Sequence, residues 1–147
     1  MNYGRLALAA VAAWLVDAVY GFIVYGTLLS GEFGRYPSIY RPTDSQAAYM
    51  PILFAGILLA TFVASYVYAK GYEGGCGVRE GMRFGVLIGL LVFGYVGMVN
   101  YAVLSIGRRL AGSLAIAGLV EWTLVGIVIG AVYKPAAQPR ARQGAAV

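Results

Sequence analysis

The chain has 147 residues, 61% of them hydrophobic and 12% charged, with 11 lysines and arginines against 6 acids for a net charge of +5. A mean hydropathy of +0.76 is too high for a water-soluble globule of this size, so the composition excludes that class and implies an integral membrane protein. The basic excess is accounted for by topology and by attraction to anionic lipid, and is no argument for nucleic-acid binding.

Four apolar spans lie between charged or Pro/Gly-rich breaks, at about 6–29, 47–69, 82–106 and 110–133. Each is long enough to cross a hydrocarbon layer of about 30 Å at about 1.5 Å per helical residue. Lipid offers the backbone no hydrogen-bond partner, and the alternation of a barrel strand is missing, so the spans are expected to be helices. The predicted architecture is all-α, a four-helix transmembrane bundle over 1–134 followed by a disordered basic cytoplasmic tail over 135–147.

The first span begins after Arg5 with an alanine-rich run that resembles a secretory signal. It continues through Leu28, which is too long for a cleaved apolar region. Between the first two spans runs the longest connection, 30–46, with Phe33, Tyr36, Tyr40 and Tyr49 in or near it. Aromatic residues at this position form an interfacial belt. Asp44 or Ser45 is expected to cap the second helix, and Pro51 falls within its first turns, where a missing N–H costs little.

The glycine-rich stretch 71–77 lacks the Gly-Lys-Ser/Thr ending of a phosphate-binding loop and follows no strand, so it reads as an inter-helix turn. Cys76 within it has no partner for an internal disulfide and no base beside it. Arg79 and Arg83, one turn apart, could grip a lipid phosphate or simply anchor the topology. Counting basic residues places Arg5, Lys70, Arg79, Arg83, Lys134, Arg140 and Arg142 on the side of the termini, against Arg35, Arg41, Arg108 and Arg109 opposite. The expected topology puts both termini in the cytoplasm, in a bacterial inner membrane.

The third span carries Gly81, Gly85 and Gly89 at every fourth position, with Gly97 near the same face. The fourth carries Gly126 and Gly130. Such rows let helices approach closely where lipid removes the hydrophobic drive, within one chain, in a homodimer or against partner membrane subunits. The third and fourth helices are expected to form the tight hairpin.

Two acids stand alone near the middles of the first and fourth spans. Asp17 follows Arg5 by twelve residues and Glu121 follows Arg109 by twelve, about 18 Å along a helix, so neither arginine reaches its acid. A charged acid at mid-bilayer costs about 3 kcal/mol on insertion scales and normally faces the protein interior or a wet cavity. Ala10, Ala13, Tyr20 and Gly21 share a face with Asp17, and Ala117 and Gly118 share one with Glu121. If these helices touch, the acids form a carboxyl pair able to hold one proton. Asn100, Thr61, Ser65 and the hydroxyls of Tyr20, Tyr25, Tyr95 and Tyr101 could extend a polar path, or serve as ordinary interhelical bonds and interfacial rings. Leu15-Val16-Asp17 and Leu119-Val120-Glu121 are each followed by a glycine nine residues after the acid, a faint echo of the inverted arrangements found around midplane sites.

In the segment 14–26, the glycine-rich middle loop and the stretch 100–134, the chain resembles small bacterial four-helix membrane families of unknown function. It is also similar to the small multidrug-resistance exporters in having four helices and an acid in the first. Those proteins are shorter, carry a glutamate in a first-helix motif that is absent around Asp17, and lack an acid in the fourth helix. That similarity implies transport as one function to test. With no histidine, metal cluster or activated nucleophile, no enzyme, cofactor or metal site is expected. The expected role is a non-enzymatic accessory protein or complex subunit in contact with membrane lipids. The alternative is a proton-linked small transporter using Asp17 and Glu121, with Asn100 and Tyr20 beside them.

Overall fold

A computed structural model describes residues 1–134, and of Thr43 the backbone alone; the expected basic tail over 135–147 lies outside the described residues. Four helices are long and apolar enough to cross a membrane: Tyr3–Leu28, Asp44–Gly71, Gly77–Val103 and Arg108–Val132, here called the first to fourth spans. No strand occurs among the described residues. The chain is a four-helix bundle of the kind its apolar spans require, a multi-pass membrane protein by length and composition.

Met1 and Lys134 lie at one end of the bundle, the terminal face, together with the loop between the second and third spans. The opposite end, the far face, carries the long connection and the turn between the third and fourth spans. The helices pack in the order second, first, fourth, third, and the third makes its main contact with the fourth.

That contact is built on glycine. A Cβ added to Gly77 or Gly81 would collide with the backbone of Gly130 and Gly126 respectively, and one added to Gly85 with the backbone at Trp122 and Thr123. The reverse holds for Gly126 against Gly81 and Gly85, and for Gly130 against Gly77 and Gly81. The glycine rows thus meet within one chain, backbone on backbone. Helices this close gain dispersion contact that side chains would prevent. The first and fourth spans meet more conventionally, through a core of Leu6, Ala9, Ala13, Val125, Ile129 and Tyr133, with Ala64 and Tyr68 from the second span. At the terminal face the Tyr68 ring packs on Phe84, Tyr72 and Tyr133, closing the bundle there.

Several boundaries differ from the sequence expectation. The third span starts at Gly77 and ends at Val103, where 82–106 was expected. Glu80 accepts the N–H of Gly75 at 2.6 Å, so the carboxylate closes the glycine turn and the helix forms at once behind it. Neither Asp44 nor Ser45 caps the second helix. Pro42 holds the cap position without a side-chain capping bond, and the Ser45 hydroxyl donates to the Pro42 carbonyl at 2.9 Å. Asp44 still lies in the first turn, where the helix dipole favours an acid. A short 3-10 turn, Ala47–Tyr49, then leads into Met50–Gly71, with Pro51 in its first turn.

The glycine contacts predict a sharp position dependence. Gly126→Ala or Gly81→Ala forces a methyl group into backbone and should cost about 1–3 kcal/mol or more. Gly112→Ala, where nothing lies within 4 Å, should be neutral or stabilise by up to about 1 kcal/mol. Thermal unfolding in detergent micelles, followed by circular dichroism, measures the difference.

Candidate functional site

The first and fourth spans run antiparallel, and their contacts keep step along the seam. Next toward the far face from the apolar core come Asp17 on one helix and Glu121 on the other, near enough across the seam for each carboxyl to act on the other. One hydroxyl donor completes the cluster. The Tyr25 hydroxyl donates to Oε2 of Glu121 at 2.8 Å. Tyr20 donates instead to the Ala117 carbonyl at 2.8 Å, one turn before Glu121, and its ring packs edge-on against Tyr25 at 6.2 Å. Both tyrosines therefore fasten the far half of the first span to the fourth at the level of the acids.

Beyond Glu121 the third and fourth spans separate. They enclose a cleft of about 230 Å³ whose walls are Phe93, Val96, Gly97 and Asn100 on one side and Ala111, Leu114, Ala115 and Gly118 on the other. Tyr25, Glu121 and Trp122 line its inner end, and Tyr40, Leu104 and Ile106 its end toward the far face. Asp17 does not line the cleft; it sits behind Glu121. The lining is mostly apolar, with aromatic rings on several sides and the Glu121 carboxyl as its one acidic group.

Two π-helical turns flank this region, Val24–Leu28 at the end of the first span and Phe93–Gly97 within the third. Such turns are rare and concentrate at functional sites. In the first, the Thr27 hydroxyl donates to the carbonyls of Phe22 and Ile23 in its own helix.

The remaining sequence candidates are spread through the fold. Asn100 is in the cleft wall and exposed. Thr61 and Ser65 are fully buried on the second span near the terminal half and do not reach the cleft. Thr61 donates to the Ile57 and Leu58 carbonyls of its own helix, and the Ser65 hydroxyl has no partner among the described residues. Tyr95 and Tyr101 face outward, so no polar path runs through them. Arg79 and Arg83 are exposed at the start of the third span, at the end of the molecule opposite the cleft. The N–H of Gly75 beside them is taken by Glu80. Of the matched Leu-Val-acid triplets only the acids face each other: Leu15 and Val120 are exposed and Leu119 packs on Gly89 of the third span, and their glycines do not play matching roles either, since Gly26 is exposed and Gly130 is buried against Gly77.

Sequence reasoning missed Tyr40, Phe93 and Trp122 as members of a site. Tyr40 belongs to a loop whose aromatics read as an interfacial belt; its burial, and then the neighbouring Tyr36, raise its pKa above the ordinary tyrosine value. Phe93 was marked by one signal: it stands at the next four-residue step after Gly89, where the small-residue row stops. Comparison with protein-family models, with curated proteins and with solved structures found no match.

The hydrogen-bond geometry separates the two tyrosines. Tyr25→Phe leaves a half-buried carboxyl oxygen without its donor and should destabilise the protein by about 1–3 kcal/mol. Tyr20→Phe removes only a second bond from a helical carbonyl and should cost about 0.5–1.5 kcal/mol. Chemical unfolding in mixed micelles compares the two. A hydrophobic carbodiimide should also label Glu121 faster in the Tyr25→Phe protein than in the parent.

Proposed function

We propose that this protein is a proton-linked membrane carrier for a small cationic solute, with Glu121 and Asp17 as the shared proton and cation site. One observation carries the reading: Glu121, beside Asp17 and bonded to Tyr25, lies at the inner end of a cleft that extends toward the far face, while the terminal half of the bundle is packed shut.

Two touching carboxyls in a low-dielectric surrounding hold one proton between them, because both ionised would repel strongly. A cation arriving down the cleft offers the same neutralisation as that proton. Binding one and releasing the other keeps the local charge constant, which is the requirement for exchange. The rings of Tyr25, Tyr40, Phe93 and Trp122 suit an organic cation, since aromatic faces attract positive charge while an apolar wall accepts alkyl groups. Asn100 supplies a neutral polar contact part-way along. Basic residues favour the terminal face as the cytoplasmic one, so the cleft of this conformation faces away from the cytoplasm. Access from the other side then requires the terminal aromatic cluster to part, the alternating exposure expected of a midplane site.

A second reading, a non-enzymatic subunit whose acids only cement the bundle, draws on the third span. Its main contact is with the fourth, and Leu87, Leu91 and Tyr95 on its other sides are exposed. Lipid covers such a surface equally well, and the cleft has no part in that role.

Vesicles containing the purified protein and an entrapped pH dye separate the two readings. Addition of a tetraalkylammonium salt outside should alkalinise the lumen as cation enters and protons leave. Glu121→Gln should reduce the initial rate at least about tenfold, and Asp17→Asn should do so comparably, because each breaks the pair that exchanges one charge for another. Unchanged rates in both variants, or no response in the parent to any cation in a size series, would favour the subunit role.

A further inference from the structure

We propose that residues 30–40 form a strap that controls entry to the cleft, latched to the turn between the third and fourth spans through Glu32–Arg109 and Tyr36–Gly107. The inference rests on reading the cleft as a solute path. Its test does not depend on transport.

The strap is internally bonded and forms one connected unit. The N–H groups of Glu32 and Phe33 donate to the Leu29 carbonyl, that of Tyr36 to Phe33, and that of Tyr40 to Tyr36. The Phe33 and Tyr40 rings pack edge-on at 4.8 Å. This coil begins where the π-turn of the first span ends and delivers the Tyr40 side chain to the cleft, beside Leu104 and Ile106.

Two contacts hold the strap down. Arg109 Nε lies 3.2 Å from Oε1 of Glu32, whose other oxygen is 3.4 Å from Arg35 of the strap itself. The Gly107 N–H donates to the Tyr36 hydroxyl at 2.9 Å. Both are modest: the Arg109 side chain is 75% exposed, against 14% for Glu32, and a partly exposed ion pair or a single neutral hydrogen bond shifts an equilibrium by about tenfold at most. A latch of this strength holds the strap over the cleft yet releases at low cost, as an access device must. Gly107 is part of the latch for a steric reason too. A Cβ there would stand 2.6 Å from the Tyr36 hydroxyl, although the backbone at Gly107, φ −76° and ψ 158°, suits any residue.

The test measures access directly. In a Cys76→Ser background, Ala115→Cys places a thiol in the cleft wall and Ser38→Cys places one on the exposed strap. Labelling of each by a membrane-impermeant maleimide is timed in reconstituted vesicles. Gly107→Ala, Arg109→Glu and Tyr40→Ala should each raise the Ala115→Cys rate at least about threefold while leaving the Ser38→Cys rate unchanged. Combining Arg109→Glu with Glu32→Arg should return it toward the parent value. Equal Ala115→Cys rates in the parent and all three variants would overturn the strap. So would an increase that the charge swap fails to reverse and that is matched at Ser38→Cys, since that marks general loosening. A protein that moves no cation but shows the labelling pattern retains the strap and loses the carrier reading.

Discussion

The backbone contact between the third and fourth spans governs the rest of the molecule. Lipid tails are as apolar as leucine, so two transmembrane helices gain nothing by hiding side chains from their solvent; they gain by approaching closely. Glycine at 77, 81, 85 and 89 meets the fourth span around 130, 126, 122 and 119 in turn. At the next step of that series stands Phe93, whose ring cannot enter such a seam, and the helix there widens into a π-turn. The same four-residue repeat that closes the terminal half therefore dictates where closure ends. The cleft begins at that point, lined by Phe93 and Gly97 on the side that has lost contact.

The seam between the first and fourth spans follows a different rule and reaches the same level. Its terminal half is small and apolar, with Ala9, Ala13 and Ile129 wholly buried, and it needs no polar group. Asp17 and Glu121 occupy the next turn outward, where the packed core gives way to the cleft. Each acid alone would carry an insertion cost of about 3 kcal/mol. Together, with the Tyr25 hydroxyl on Glu121, they meet that cost through mutual contact. A purely structural pair would gain most from complete enclosure. Glu121 instead lines a space of about 230 Å³, and that placement is the observation on which the carrier proposal rests.

The sequence made the membrane spans legible because burial in lipid imposes a length and a composition that no loop imitates. It also made the glycine rows legible, since a fourth-residue repeat of the smallest side chain has one main physical use. The pairing of the acids was legible only on the condition that the first and fourth helices touch: each acid lies near the middle of its span, on a small-residue face. The start of the third span was hidden because a glycine-rich turn and the first turn of a glycine-rich helix have the same composition, and only the Glu80 bond to Gly75 separates them. The cleft was hidden for a deeper reason. It is a consequence of helices ceasing to touch, and its wall includes Tyr40 from a loop that no periodicity relates to the third span.

The two π-turns tie these observations together. One, Val24–Leu28, holds Tyr25; the other, Phe93–Gly97, contributes Phe93, Val96 and Gly97 to the cleft. A π-turn adds a residue to the local ring of hydrogen bonds, so its backbone is wider and less tightly held than the α-helix on either side. In a bundle whose terminal half is fixed by backbone contact and an aromatic cluster, the π-turns of two spans thus lie at one depth, beyond the acids. Bending at those turns would change the width of the far half while the glycine seam stayed intact. The molecule combines a closely packed end, an end divided by a cleft and a pair of acids at the boundary between them, an arrangement that static cementing of four helices does not require.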